Sequence, residues 1–140
     1  MSLRAKLELV FFGGAELSVL STPSFAVVFF AQTLYPDAVP LAGLTAIVFG
    51  SVAVAAFRAR RPDVGEWPRR SEMASLPFRI VYFSVLYFLA SMGVAYVAVS
   101  LEALWLTPLG GLVQVAGLAA FPTAYRSVYG EPVRKPSIRA

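Results

Sequence analysis

The sequence predicts an all-α integral membrane protein of four transmembrane helices, N-in/C-in. Three observations predict it. Of 140 residues, 58% are hydrophobic and only 14% charged, against about 25% charged in a soluble domain. A soluble chain this short leaves much of its surface wet and could not hide so much apolar area. The apolar residues are gathered in four long runs. Finally, the basic residues fall on one side of those runs.

The first span is read over 9–31, interrupted by Glu16. The apolar run continues through Val27-Val28-Phe29-Phe30, longer than the core of a cleaved signal peptide. Tyr35 to Pro40 is a turn, with a proline at each end of Pro36-Asp37-Ala38-Val39-Pro40. Spans two, three and four follow at 41–57, 78–100 and 109–125. Each approaches the roughly 20 apolar residues that cross a hydrocarbon core. The link 101–108 holds Trp105, suited to the headgroup layer. The loop 58–75 is polar and is expected to lie stiffly at the interface. Residues 126–140, with Gly130, Pro132 and Pro136, read as a basic flexible tail.

Orientation follows from charge, because Lys and Arg stay on the cytoplasmic side. Arg4 and Lys6 precede span one. Arg58, Arg60, Arg61, Arg69 and Arg70 lie in the middle loop, with Arg79 just beyond. Arg126, Arg134, Lys135 and Arg139 lie in the tail. The two opposite links carry only Asp37 and Glu102. Both termini and the loop are therefore placed inside.

Sliding the chain by 68 residues sets Pro40-Leu41-Ala42-Gly43-Leu44 against Pro108-Leu109-Gly110-Gly111-Leu112, and Ala56-Phe57-Arg58 against Ala124-Tyr125-Arg126. Two duplicated helical hairpins would give parallel repeats about an axis along the membrane normal. Small residues let helices approach closely in lipid. The candidates are Ala42, Ala46 and Gly50 in span two and Gly110, Gly111 and Gly117 in span four. They serve contacts either within one chain or between copies.

The candidate intramembrane polar site comprises Glu16, Pro23, Gln114 and Arg79. An acid at that depth costs on the order of 2–3 kcal/mol and calls for an interior position and a partner. The acid is expected to be structural, either neutral or paired with Arg79, whose side chain would have to reach inward. Pro23 should kink span one, with Ser18, Ser21, Thr22 and Ser24 available to satisfy freed backbone groups. Gln114 lies toward the outer side of span four. Small multidrug transporters also have four short helices and an acid in the first. Their loops are short throughout, and their later motifs have no counterpart here.

The basic face, formed by Arg58, Arg60, Arg61, Arg69, Arg70, Arg126, Arg134, Lys135 and Arg139, would attract anionic lipid headgroups, each worth about 1 kcal/mol near the surface. Nucleic acid is a second polyanion partner. Histidine and cysteine are absent. That removes the commonest general base and metal ligands, and no cofactor, metal or catalytic residue is expected. The reading is a non-enzymatic structural, assembly or accessory component of a membrane complex, in a homo-oligomer or larger assembly. Its plan of four spans, minimal exterior and basic interior resembles that of small envelope proteins of viruses of halophilic archaea. On that alternative the membrane is a virion envelope rather than a cell membrane. A small-solute or ion transporter using Glu16 is the other alternative.

Overall fold

The computed structural model describes residues 2–60, 64–65, 67–68 and 72–129. Among these every regular element is helical. They are α1 (Leu3–Leu20), α2 (Thr22–Ala31), α3 (Ala38–Arg58), α4 (Leu76–Phe88), α5 (Val94–Ser100) and α6 (Leu109–Tyr129). A π-helical turn, Leu89–Gly93, joins α4 to α5, so Leu76–Ser100 forms one rod. That rod, α3 and α6 with its preceding turn are each long and apolar enough to cross a membrane. The pair α1–α2 makes a fourth if its two segments, bent by 69°, count as one span.

Helix starts lie earlier than the sequence suggests. Pro40 falls within the first turn of α3 and Pro77 at the start of α4, where a proline costs little because the leading N–H groups have no helical acceptor. The 21 residues of α3 then rise about 31 Å, near the thickness of a hydrocarbon core. The last helix runs past Tyr125 to Tyr129 despite Pro122 in its interior, so Arg126 is helical and not part of an extended tail. Stacking accounts for the extra turn. Tyr125 lies 5.1 Å from Tyr129, and Tyr129 lies 5.7 Å edge-on to Phe78 of α4.

The first span is not one helix. α1 ends at Leu20, and α2 begins at Thr22 with Pro23 in its opening turn. Pro23 has no N–H for the carbonyl of Val19, so the ladder breaks there. The break is stitched to α4. Ser21 Oγ donates to the Phe83 carbonyl (3.3 Å) and Ser84 Oγ to that of Leu20 (3.2 Å). Thr22 donates back to Ser18 within the chain (3.0 Å).

Helix α3 is the hub. α1 runs against it through Gly13, where an added Cβ would stand 2.7 Å from the Ser51 carbonyl oxygen. α6 meets its other side. A Cβ on Gly110 would come within 2.5 Å of the Ala42 carbonyl oxygen and 2.7 Å of that of Ala90 in the π turn. Gly50 admits Leu17 and Gln114, Gly111 admits the ring of Phe49, and Gly117 admits Leu86. Ala42 and Ala46 are fully buried. The small-residue faces are thus occupied inside the chain.

One apolar cluster, around Leu17, Val54, Phe83, Leu118 and Phe121, fills the end of the bundle that carries Arg58 and Tyr129, here termed the basic end. A second, around Val39, Ala46, Tyr87, Ala90 and Ala95, fills the end nearer Asp37.

Gly110→Ala is expected to cost roughly 1–3 kcal/mol, because the atoms it meets are backbone and cannot rotate away. Gly93→Ala, whose Cβ would meet nothing closer than 4.0 Å, should change stability far less. Thermal unfolding in detergent compares the two.

Candidate functional site: a buried ion pair under an inserted loop

Glu16 faces inward from α1, with its side chain 4% exposed. Arg58 of α3 forms an ion pair with it, a partner that the sequence did not single out. Arg58 Nε donates to Oε1 at 2.8 Å and Nη2 to Oε2 at 2.5 Å. This forked pairing matches a planar guanidinium to both carboxylate oxygens. Along α1 and α3 the chains run antiparallel, Lys6 beside Ala59 and Gly13 beside Val54. The Cα of Arg58 therefore lies near the bundle mouth, and its side chain extends back along the bundle to reach the acid. Arg58 is accordingly withdrawn from the basic face on which the sequence places it.

The loop after α3 closes over this pair. The Pro68 carbonyl accepts from Arg58 Nη1 at 2.8 Å. The indole of Trp67 lies under the guanidinium, 5.2 Å from ring centroid to Cζ, a cation–π contact. Trp67 is itself buried, 4.9 Å from Phe121 and 6.2 Å from Phe83. Gly65, at φ 130°, packs on Pro122. The described part of the loop is thus inserted among the helices instead of lying at their margin. Non-helical backbone at such depth is tolerated only where protein surrounds it.

Arg79 is buried beside the pair and donates from Nη2 to the Glu72 carbonyl. Glu72 also accepts the Tyr125 hydroxyl through Oε2 at 2.6 Å, which ties the end of the loop to α6. Glu16 and Arg79 together line a groove of about 270 Å³ between α1 and α4, walled by Phe12, Val19, Leu20 and Leu76. The other two members of the predicted polar site lie elsewhere. Pro23 sets the α1–α2 break. Gln114 is fully buried against Gly50, with no hydrogen-bond partner for its amide among the described residues.

On the basic face, Arg60 and Arg126 are exposed. Arg61, Arg69, Arg70, Arg134, Lys135 and Arg139 lie outside the described residues. The sequence reading missed Trp67, Pro68, Glu72 and Tyr125 as members of the site. The available signal was an aromatic followed by proline within a loop otherwise rich in charge.

The chain belongs to the family described as a domain of unknown function, DUF8215. That family's model matches residues 1–128, which takes in every element of the buried site. No curated protein and no solved structure matches the chain.

Trp67→Ala should cost about 3 kcal/mol and loosen the loop, read as faster proteolysis between α3 and α4. Trp67→Phe should keep most of the stability, since the indole N–H has no partner among the described residues and the stack survives.

Proposed function

We propose that this DUF8215 chain is a four-span membrane protein acting as a non-enzymatic structural, assembly or accessory component of a membrane complex. α1 and α2 form one broken crossing. Both termini and the loop 58–75 lie on the cytoplasmic or interior side. Reading three spans instead would put Arg4 and Lys6 on the side opposite Arg58 and Arg60, against the rule that basic residues stay inside.

The observation that carries the structural role is the state of Glu16. Both of its oxygens are engaged by one arginine, and that arginine is capped by Trp67 and Pro68. A coupling carboxylate has to exchange its cation or proton with water. This one is committed to holding α1, α3 and the loop together. The exposed Arg60 and Arg126 support a basic inner face toward anionic headgroups or, in a virion envelope, toward a packaged genome.

A second reading, small-solute or ion transport through Glu16, is favoured by the groove that Glu16 and Arg79 share. The pair itself separates the two readings. Glu16→Gln leaves Arg58 without a charge partner and should destabilise by about 3 kcal/mol. The double variant Glu16→Leu/Arg58→Met removes both charges and should recover most of that stability. It should also retain the native mass and co-purifying partners of complexes extracted gently from the membrane. Recovered folding together with loss of a solute flux carried by the wild type would overturn the structural reading in favour of transport.

Topology is testable without background, because the chain has no cysteine. Single cysteines at Asp37 and Glu102 should react with an impermeant maleimide from outside intact cells. Those at Ser2 and Val128 should react only after permeabilisation. Outside labelling of Ser2 would exclude the N-in arrangement.

A further inference from the structure

The seam between α1 and α3 holds a groove of about 250 Å³ toward the basic end of the bundle. α3 presents Ala55, Ala56 and Ala59 to it, side chains too short to fill the space. Leu9 and Val10 form the opposite wall on α1. Toward the middle of the bundle the two helices close up. An added Cβ on Gly13 would stand 2.7 Å from the Ser51 carbonyl oxygen and 3.2 Å from the Ala55 nitrogen. From Ala59 at the mouth to Val52 at the inner end, the groove follows α3 for about 10 Å at ~1.5 Å per residue. Val52 is 51% exposed, so the groove opens sideways, toward lipid on the proposed placement.

Lys6 lines the mouth beside Ala59. It lies three and four residues before Leu9 and Val10, hence on the same face of α1. A lysine lays its stem along apolar surface and keeps its ammonium in the polar layer. Lys6 is exposed and forms no ion pair among the described residues. Glu8, the nearest acid along α1, is two residues on and does not share its face. Arg58, at the same end of α3, is turned inward and matched by Glu16. Exposed Arg4 and Arg60 add positive charge at this end. The groove therefore joins an unmatched cation at headgroup depth to an apolar channel running into the hydrocarbon. The grooves along α4 and between α2 and α4 carry no charged residue. That of Glu16 and Arg79 holds its charges in contacts within the chain.

We infer that the α1–α3 seam binds one anionic phospholipid of the inner leaflet, with its phosphate on Lys6 and an acyl chain laid along Ala56 and Val52. Charge complementarity and depth choose this occupant. A basic side chain near the membrane surface attracts anionic lipid. A zwitterionic lipid brings a cation of its own to the mouth, and a hydrocarbon or fatty alcohol leaves Lys6 unmatched. A soluble anion satisfies Lys6 but leaves the apolar channel uncovered. The inference rests on the proposed basic inner face and deepens it, from a diffuse attraction of headgroups to a single lipid seated between two named helices.

The probe is a phosphatidylglycerol carrying a photoreactive diazirine in one acyl chain, near the glycerol, with the full chain in phosphatidylcholine vesicles. Labelling should saturate and should concentrate on peptides containing residues 6–10 and 52–59. Excess unlabelled phosphatidylglycerol should displace it, and added phosphatidylcholine or inorganic phosphate should not. Lys6→Gln should weaken binding about fivefold, the worth of one basic residue near an anionic surface. Arg126→Gln, away from the groove lining, should leave it unchanged. Val52→Trp should fill the groove and abolish saturable labelling, with an unchanged unfolding temperature confirming the fold. Lys6→Gln alters an exposed side chain and decides the matter even where Val52→Trp unfolds. Uniform, non-saturating labelling of all lipid-facing helices would overturn the inference. So would displacement by phosphatidylcholine or inorganic phosphate, or an unaltered affinity in Lys6→Gln. Equal weakening by Lys6→Gln and Arg126→Gln would leave the basic face standing and remove the seated lipid. The probe occupies both leaflets, so a failure of the N-in placement appears separately, in the cysteine-labelling pattern.

Discussion

The bundle's basic end depends on the ion pair of Glu16 and Arg58. An acid placed within an apolar helix must be matched or neutralised, and a guanidinium withdrawn from water must be matched as well. The forked geometry satisfies both at once. It also links the first helix to the last turn of the second long one, and through Pro68 and Trp67 it draws the following loop into the bundle. The aromatic stack of Trp67 with Phe83 and Phe121 then joins that loop to α4 and α6. A buried pair of this kind is weak evidence for stability compared with an apolar replacement. Its stronger effect is on arrangement, since a carboxylate at one depth on α1 fixes where α3 and the loop must sit.

The second constraint is close backbone approach around α3. Gly13, Gly50 and Gly110 stand where a single added carbon would meet another residue at under 3 Å. On the proposed membrane placement, helix association relies on packing and not on escape from water, so these approaches are where α3 is gripped. They explain how α3, flanked by α1, α6 and the π turn, can be composed mainly of alanine, valine and glycine and still be the most enclosed of the spans.

The offset of 68 residues read in the sequence can be followed along the helices. The first span breaks at Ser21, and the π turn of the third begins at Leu89, a difference of 89 − 21 = 68. The polar site does not repeat. Glu16 falls opposite Ser84 and Arg58 opposite Arg126. Ser84 donates a hydrogen bond to the Leu20 carbonyl, and Arg126 is exposed. The matched helices α3 and α6 are both 21 residues long, while the forked ion pair occurs only between α1 and α3.

Long apolar runs and punctuating prolines are local properties, and they marked the apolar helical segments, with the first divided at Ser21 and several ends displaced by a few residues. Pro23 announced the break in the first span, and the small residues of spans two and four announced close contacts. The sequence alone also marked Glu16 as an acid needing a partner. It did not single out Arg58 for the forked pair, because Arg58 and Arg79 both lie near enough along the chain's plan. The choice depends on how α1 registers against α3 through Gly13 and Gly14, which is decided by packing. Nor did it place Trp67 and Pro68 inside, since a loop's composition reads as polar even when one aromatic turns inward to cover a cation. Length and apolarity marked the helices. The tertiary structure decided which groups meet, because burial of a charge is settled only by what the neighbouring helices bring to it.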